Sequence, residues 1–400
     1  MRYKTEKLGK FLYIKGRIGW KGLKKSEYLE HSEYKIINGE SLTKNGIDWD
    51  KAGYISKERY DESPEIMLQN DDILISKDGT IGKLGFVENL SYKATVASGI
   101  FVLRNLNSNL INTRFIYNYL SSSYFSNFII SRTEGSVIPH LYQKDFVELD
   151  FPLPSLEIQD KIVEILDAIS LKIKINNLIN NNLEQQVLTL YRNRFIDTVN
   201  AERRICHADE YFDFSIGKTP PRKEPQWFST NPQDVTWVSI SDMGTCGLYI
   251  SSSSEQLTRE AVERHNVKIV PDNTVLLSFK LTVGRIAITN GEMTTNEAIA
   301  HFKTDKKEIN EYLYCYLKCF NYQTMGSTSS IATAVNSKII KGMPFVVPTD
   351  DELIDFHSVA DPMFAKIKAN QTEIKNLTTV RDTFLPKLMS GELDISDIDL

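Results

Sequence analysis

The sequence predicts an α+β protein made of two similar domains and two long helices, arranged as an internal repeat. Residues 136–194 align with residues 330–388 without a gap. Further upstream, residues 73–83 match residues 275–285. A period near 200 residues is far longer than the roughly 20 to 50 residues of a solenoid or propeller repeat. Duplicated domains are therefore predicted, and with them two functional sites.

The globular part of each copy has mixed strand and helix patterns. Short aliphatic runs such as residues 73–76 and 275–278 are bounded by Gly, Asn and Asp, as strands are. One helical stretch follows in each copy, at residues 113–129 and 309–325. These patterns predict two α+β domains. The predicted boundaries are residues 1–152 and 203–348.

A heptad pattern follows each globular part. Apolar residues recur at alternating steps of four and three in both copies. Such spacing predicts that the two helices pack on each other, although packing of each helix on its own domain is the simpler alternative. We predict a central spacer helix at 153–200, a C-terminal spacer helix at 349–392 and an acidic tail at 393–400. The predicted helix-pair seam is Ile162, Leu166, Ile169, Ile173, Asn176, Leu183, Val187, Met363, Ile367, Asn370, Ile374, Leu377 and Phe384.

Two features of the heptad pattern carry further predictions. An asparagine stands at the same place in both copies, at Asn176 and Asn370, and a buried asparagine can fix helix register at a cost in stability. Pro362 predicts a late start or a break in the second helix, because proline is tolerated only in a first turn. A helix of about 40 residues is roughly 60 Å long, so the pair would act as a rigid spacer.

Composition and charge narrow the class of protein. A chain of 400 residues with 41% hydrophobic content suffices for two or three domains with real cores. The charged start and the lack of an apolar run near 20 residues predict a cytoplasmic protein without a membrane segment. The net charge of −5 is concentrated in residues 349–400, which hold 5 basic and 11 acidic residues. The four cysteines, all in the second half, are interpreted as core thiols, because an isolated CxxxC spacing is a weak metal signal.

A basic loop that contains glycine or proline and a tryptophan occurs near the start of each domain. The first loop reads KGRIGWKGLKK and the second KTPPRKEPQW. Glycine and proline predict loops rather than helices. A solvated surface loop would explain either segment alone. Their recurrence at matching positions favours contact with phosphate groups.

Together these features resemble the specificity subunit of a type I restriction-modification system. The strings PLPSLEIQDKIVEILDAI, LPKLMSGELDI, RIGWKGLKK and SIGKTPPRKEPQW carry the resemblance, which covers essentially the whole chain. It implies two target recognition domains, each reading half of an asymmetric bipartite double-stranded DNA sequence. It also implies a pseudo-twofold repeat in which two antiparallel coiled-coil helices separate the domains and set the half-site spacing.

The resemblance also implies which chains do the chemistry. The helices would dock two methyltransferase (modification) subunits, and restriction subunits join some assemblies of this family. S-adenosylmethionine, and ATP with Mg²⁺ where restriction subunits are present, would be bound by those partners. This chain is expected to hold no cofactor, no metal and no catalytic residue.

Candidate DNA-binding residues lie on the basic loops, on the turn after residues 73–76 or 275–278, and on the polar turn before each spacer helix. Lysine side chains more often hold phosphate, whereas Arg, Asn, His and Thr can read base edges. For each residue a solvated charge or a turn hydroxyl is the alternative, and Ser76 and Ser278 are interpreted as strand-end turn residues. The candidates are Arg17, Trp20, Lys21, Lys24, Lys25, Lys77, Thr80, Lys83, His140, Tyr142, Lys144, Lys218, Arg222, Lys223, Lys280, Thr282, Arg285, Ser330, Asn336 and Lys338.

Two other classes of function fit the sequence less well. An amino-methyltransferase needs a D/N-P-P-F/Y/W tetrad, but NPQD at 231–234 lacks the aromatic residue and DPMF at 361–364 lacks the middle proline. No GxxxxGK[ST] phosphate loop occurs in the sequence. A non-DNA scaffold with two protein-binding modules is the second alternative. It would expose apolar anchors in its loops, whereas basic loops predict DNA binding that weakens steeply with salt.

Overall fold

The computed structural model describes residues 3–43, 46–133, 140–198, 200–325, 336–393 and 395. The chain forms two compact units, residues 1–172 with 376–400, and residues 173–375. Each unit contains one globular α+β part and a stretch of both long helices, so the predicted α+β repeat is confirmed. The domain boundaries given above stay predictions.

The globular part of the first unit is built on a four-stranded antiparallel sheet of order β2-β10-β7-β8. A second, three-stranded sheet has the order β6-β3-β9, with β3 parallel to β9. The elements are β1 (Lys4–Lys7), β2 (Leu12–Gly16), β3 (Tyr34–Ile37), β4 (Leu42–Thr43), β5 (Gly46–Ile47), β6 (Gly53–Ile55), α1 (Lys57–Asp61), β7 (Ile73–Ser76), β8 (Leu84–Phe86), β9 (Lys93–Val96), β10 (Ile100–Asn105), α2 (Thr113–Leu120), α3 (Ser123–Thr133), α4 (Gln143–Val147), β11 (Asp150–Leu153) and the long helix α5 (Leu156–Tyr191).

The second unit repeats this plan around a sheet of order β13-β21-β18-β19-β16. Its smaller sheet has the order β14-β17-β15-β20, with β15 parallel to β20. The elements are β12 (Arg204–His207), α6 (Ala208–Tyr211), β13 (Asp213–Ile216), β14 (Phe228–Ser229), β15 (Val235–Val238), α7 (Ile240–Met243), β16 (Tyr249–Ile250), β17 (Glu255–Leu257), α8 (Arg259–Arg264), β18 (Val275–Ser278), β19 (Ile286–Thr289), β20 (Thr294–Thr295), β21 (Ile299–Lys303), α9 (Asn310–Cys319), α10 (Ser337–Lys341), β22 (Pro344–Val347) and the long helix α11 (Asp350–Ser390).

The apolar runs in the sequence are strands buried on both faces. In β7, Ile73 and Ile75 join one core cluster while Leu74 joins another. In β18, Val275 and Leu277 face one cluster and Leu276 a second. Because successive strand side chains point to opposite faces, a strand covered on both sides reads as a continuous apolar run. Each central sheet is therefore a rigid support for the loops at its ends.

A two-stranded antiparallel ribbon joins the beginning and the end of each globular part. In the first unit β1 pairs with β11, with Lys4 opposite Leu153. In the second unit β12 pairs with β22, with Arg204 opposite Val347. The strand that completes each ribbon is followed directly by a long helix, so each helix leaves its globular part from a fixed point.

The second long helix runs without a break through Pro362, so the predicted late start or break is wrong. Proline cannot donate to the carbonyl four residues earlier, here that of Ser358. Ser358 and Pro362 are both exposed, and water can therefore hydrate the carbonyl that lacks an intrahelical donor. The first long helix ends in a π-helical turn at Arg192–Ile196.

In the first unit, the two long helices meet through aliphatic side chains. Ile162 and Leu166 of α5 share a core cluster with Leu385 and Leu388 of α11. Phe384, predicted to lie in the seam, is 42% exposed, and that prediction is wrong. The order of the four-residue and three-residue steps is reversed at this end of α11, which moves the buried position to Leu385.

In the second unit the helices are antiparallel, because residue numbers fall along α11 as they rise along α5. Asn176 Nδ2 donates to Glu373 Oε2 at 2.8 Å, and Asn370 Nδ2 donates to Asn180 Oδ1 at 2.8 Å. Asn176 and Asn370 are both buried, as predicted. They do not pair with each other, since each faces a different residue of the opposite helix.

The asparagine pair permits a prediction about stability. Asn180→Leu should lower the free energy of unfolding of the second unit by about 2 kcal/mol, because the buried Asn370 amide loses its acceptor. Adding Asn370→Leu should return stability to the wild-type level or above it, since both polar groups are then removed. Urea unfolding measures both variants, with Asn177→Leu on the exposed face of α5 as control. A double variant less stable than Asn180→Leu would contradict this pairing.

Candidate DNA interface

In the first unit, three loops lie at one edge of the central sheet. Strand β10 is antiparallel to both β2 and β7, with Phe101 opposite Gly16 and Ile100 opposite Ser76. The ends of β2 and β7 and the start of β10 are therefore at the same edge. The loops concerned are residues 17–25, 77–83 and 97–99. Two of the three contain the predicted basic residues.

Strand-end serines fix the turn after β7 and after β18 in the same way. Ser76 Oγ donates to the Thr80 carbonyl at 2.6 Å and accepts from the Lys83 amide at 2.8 Å. Ser278 Oγ donates to the Thr282 carbonyl at 2.6 Å and accepts from the Arg285 amide at 3.0 Å. Both serines are buried, which agrees with their interpretation as strand-end turn residues.

The polar turn before the first spacer helix joins the same edge. The Leu141 amide donates to the Lys77 carbonyl at 3.2 Å, and His140 Nδ1 contacts the Asp78 carboxylate. Tyr142 packs edge-on against His140 and is 55% exposed. Residues 140–144 and the turn after β7 therefore form one surface, which sequence spacing alone did not connect.

Arg17 differs from the other predicted contacts because it is buried, with 2% of its surface exposed. Its Nε donates to the Val96 carbonyl at 3.1 Å, and Nη2 lies 3.4 Å from Thr95 Oγ1. Desolvation lowers the pKa of this guanidinium. Arg17 therefore ties the basic loop to the end of β9 and is no longer a candidate for contact with DNA.

The lysines at this edge divide into two groups. Lys21 Nζ donates to the Glu62 carbonyl at 2.6 Å and Lys83 Nζ to the Gly39 carbonyl at 2.7 Å, so both also hold the loops together. Lys24, Lys25 and Lys144 are exposed, and none of them forms an ion pair with a carboxylate in the described part of the chain. Lys77 Nζ lies 4.7 Å from the centre of the Phe101 ring. Thr80 is exposed at the turn.

The second unit places its basic loop at the equivalent edge of its own sheet. Ile216 lies opposite Ala300, and Ser278 lies opposite Ile299. The Lys218 amide donates to the Thr295 carbonyl at 2.9 Å, and Trp237 Nε1 donates to the Lys218 carbonyl at 3.2 Å. The Lys218 side chain is exposed beyond these backbone anchors.

A buried histidine supports this edge of the second unit. His301 Nδ1 lies 2.9 Å from Ser215 Oγ, and Nε2 lies 2.7 Å from Thr295 Oγ1. Burial lowers the pKa of His301 to about 3, so the ring is neutral at pH 7. By sheet register His301 occupies the place of Val102 in the first unit. No repeat or motif in the sequence could have identified it.

The two candidate arginines of the second unit contact other groups of the protein. Arg222 forms two contacts with the Glu255 carboxylate, at 2.9 and 3.0 Å, and its guanidinium lies 4.1 Å from the centre of the Phe228 ring. Arg285 Nη1 donates to the Ile240 carbonyl at 2.6 Å. Lys223, Lys280 and Thr282 are exposed in the same loops.

Four candidates are less closely connected to these surfaces. Ser330, and the side chain of Trp20, lie outside the described residues. Asn336 caps α10, where its Oδ1 accepts from the Lys338 and Ile339 amides at 2.9 and 3.0 Å. Lys338 is exposed on that helix.

One group of side chains in the described ranges could hold a metal ion. Glu311, His357 and Asp361 place one ligand atom each within 4.8 Å of one another. His357 Nδ1 already lies 3.0 Å from Glu311 Oε2, which is hydrogen-bond distance. The cysteines are free: Cys206 and Cys315 are buried, and burial raises the pKa of Cys315. No helix within the described ranges is long and apolar enough to cross a membrane.

The serine-fixed turns lead to a prediction about loop order. Ser278→Ala removes one donor and one acceptor at a buried position and should destabilise the turn by about 2 kcal/mol. Hydrogen exchange of the Arg285 amide should then become faster, while exchange of the Lys83 amide stays unchanged. Ser76→Ala is the matched control and should show the reverse pattern. Equal exchange in wild type and Ser278→Ala would rule out this role for the serine.

The chain is similar to known proteins over most of its length. A family model described as the type I restriction modification DNA specificity domain matches residues 3–185 and 209–377. The chain is 22% identical over 406 residues to the type I restriction enzyme HindI specificity subunit of Haemophilus influenzae, covering 82% of this chain and 87% of that one. It is 24% identical over 314 residues to the MjaIX specificity subunit of Methanocaldococcus jannaschii, covering 72% and 70%.

A solved structure has the same fold. The S subunit of a type I restriction-modification system from M. genitalium superposes with a TM-score of 0.55 at 16% identity, over 98% of this chain and 97% of that one. At this identity the likeness concerns the fold alone. The fold is therefore shared over nearly the whole of both chains.

Proposed function

The chain belongs to the family of DNA specificity subunits of type I restriction-modification systems, and from this membership we propose how it recognises DNA. Each globular part reads one half of an asymmetric bipartite sequence in double-stranded DNA. The reading surface is the edge of the central sheet that carries the basic loop and the serine-fixed turn. Lysines on the loops hold phosphates, and polar side chains at the turns contact base edges.

The observation that carries this proposal is the serine-fixed turn that both units share. The same pair of serine hydrogen bonds supports the turn with Lys77, Thr80 and Lys83 in one unit and the turn with Lys280, Thr282 and Arg285 in the other. The backbone is thus repeated while the side chains differ. Identical supports with different side chains are what two readers of two different half-sites require.

The helices are proposed as the docking site for modification subunits. Leu171, Ile175 and Leu178 recur on α5 at steps of four and three, and they are 57%, 41% and 59% exposed. An apolar stripe of this kind on a long helix indicates a surface that a partner covers. We propose that two modification subunits dock on the helices, that restriction subunits join through them, and that helix length sets the half-site spacing.

We also propose that this chain has no catalytic role and binds no cofactor of its own. Methyl transfer and DNA cleavage would then reside in the partner subunits, with S-adenosylmethionine and, for cleavage, ATP and Mg²⁺. The support is the sequence, which lacks both the methyltransferase tetrad and a phosphate loop. The purified chain alone should bind DNA of the target sequence without modifying it.

Exchange of one globular part tests the proposal. Residues 203–348 are replaced by the corresponding segment of another member of the family, and methylated adenines are mapped in DNA exposed to the complex with modification subunits. The expected result is a new sequence in one half of the target and the old sequence in the other half. A change in both halves, or in neither, would refute the assignment of one half-site to each unit.

A further inference from the structure

Leu281 is a fully exposed aliphatic side chain at the tip of the turn after β18. Its relative exposure is 101%, the highest among the large hydrophobic residues of the described ranges. Its backbone is left-handed, with φ of +59°. Branched apolar residues rarely adopt this conformation, because Cβ approaches the backbone closely. Full exposure of an apolar side chain and a left-handed backbone, both unfavourable, therefore occur at the same residue.

The first unit shows what this position requires. The equivalent residue there is Gly79, in the corresponding place of the other serine-fixed turn, and its φ is +66°. Glycine adopts this conformation without a steric penalty. The turn itself therefore does not need a side chain at this place. The second unit has a leucine side chain at a backbone position of similar φ where the first unit has none.

The local geometry of the second turn adds to the strain. The Thr282 amide donates to the Lys280 carbonyl at 2.6 Å, which closes a three-residue turn with Leu281 at its centre. Such turns with positive φ at the centre are rare and strained. The Ser278 hydrogen bonds and the buried Phe279 hold both ends of the turn in place. Strain that the surroundings maintain in this way is typical of functional positions.

We propose that Leu281 is a specificity-determining residue that packs against the 5-methyl group of a thymine in the half-site of the second unit; this assignment rests on the proposed function. The thymine methyl is the apolar feature that the major groove presents. Strands β18 and β19 are interior strands of a five-stranded sheet, so the turn that joins them, with Leu281 at its tip, is the part that can enter the groove. Lys280 and Thr282 flank the leucine and can contact the DNA beside it.

The test uses the complex of the full chain with its modification subunits. The target sequence is first mapped from adenine methylation, and the half-site of the second unit is assigned by the exchange of residues 203–348. Duplexes are then made in which each thymine of that half-site is replaced singly by deoxyuridine. For wild type, one such replacement should weaken binding about fourfold, the value for one buried methyl group.

The variant Leu281→Gly restores the residue of the first unit and should fold at least as stably. It should bind the target about tenfold more weakly than wild type, and it should no longer distinguish thymine from deoxyuridine at that position. Binding to unrelated DNA and its salt dependence should not change, because no charge is removed. Ile205→Ala, which shortens another exposed aliphatic side chain of the second unit, is the control and should bind as wild type does.

Three results would overturn the assignment. One is wild-type affinity and thymine discrimination in Leu281→Gly. Another is a wild-type complex in which no deoxyuridine replacement weakens binding and in which 2-aminopurine placed in the half-site becomes more fluorescent. That result would indicate that Leu281 inserts between bases instead of packing against a methyl group. A wild-type complex without any sequence preference would refute the proposed function itself, and this is seen before the variant is compared.

Discussion

Gly217→Ala should destabilise the second unit by about 3 kcal/mol, at the upper end of the cost of overpacking. A Cβ at this position would lie 2.1 Å from Thr295 Oγ1, 2.2 Å from the Asn296 carbonyl oxygen and 2.4 Å from that of Thr295. Two of these three atoms belong to the backbone and cannot rotate away. The strand end, or the segment that follows β20, must therefore move.

This movement should also reduce DNA binding. The Gly217 amide donates to the Ile299 carbonyl at 3.1 Å, and the adjacent Lys218 amide donates to the Thr295 carbonyl. Displacement of Gly217 would break both anchors of the basic loop. We expect the variant to lose recognition of the half-site of the second unit. The measurement is methylation of DNA that retains only the half-site of the first unit.

Gly16→Ala provides the matched comparison, because Gly16 occupies the equivalent position in the first unit. Its added Cβ would meet Phe101 Cδ1 at 2.9 Å and the Ile100 carbonyl oxygen at 3.2 Å. An aromatic ring can shift by a few tenths of an ångström, so destabilisation should stay near about 1 kcal/mol. Urea unfolding of both variants tests this order. Equal losses would show that the contacts of Gly217 do not decide its effect.

The repeat in the sequence predicted the parts of the fold that depend on local pattern. Buried strands such as β7 and β18, the strand-end serines and the two long helices follow from residue type and spacing. Each depends on interactions within a few residues of chain or on periodicity along one element. The same argument placed the basic loops and the serine-fixed turns at matching positions in both copies.

The burial of Arg17, which was predicted to contact DNA, results from packing between segments distant in sequence. Arg17 stands among exposed lysines in the sequence, but contacts with Val96 and Thr95, nearly 80 residues away, bury it. Phe384 lies outside the seam because the order of the four-residue and three-residue steps changes near the end of α11, where Leu385 is buried instead. The burial of Asn176 and Asn370 was predicted, but the partner of Asn370, which is Asn180, depends on the antiparallel register and could not be read from the repeat.

Partners within the protein decide which basic candidates remain available for contact with phosphate. Arg222 and Arg285 have protein partners, whereas Lys24 and Lys25 have no carboxylate partner among the described residues. A charge that is already satisfied within the protein gains little from a phosphate. The two exposed lysines of the first basic loop are therefore retained as candidates for contact with the DNA backbone.

Lys24→Ala with Lys25→Ala should weaken DNA binding roughly 30-fold near 0.15 M salt. Each phosphate neutralised contributes about 0.9 to the slope of log affinity against log salt, so loss of two contacts lowers the slope by about 1.8. If wild type and variant bind equally at 1 M salt, a slope that is lower by about 1.8 gives roughly 30-fold weaker binding at about 0.15 M salt. Affinity should fall equally for target and unrelated duplexes, because phosphate contacts carry no sequence information.

A salt titration of duplex DNA binding measures the slope directly. The control is Lys51→Ala with Lys93→Ala, which removes the same charge from the same unit at exposed lysines that face Asp48 and Glu33. Those surface pairs contribute little to stability, and their loss should leave the slope within about 0.5 of wild type. Equal slopes for both double variants would mean that net charge, not contact by this loop, governs binding. A loss confined to the target sequence would instead place Lys24 or Lys25 at a base edge.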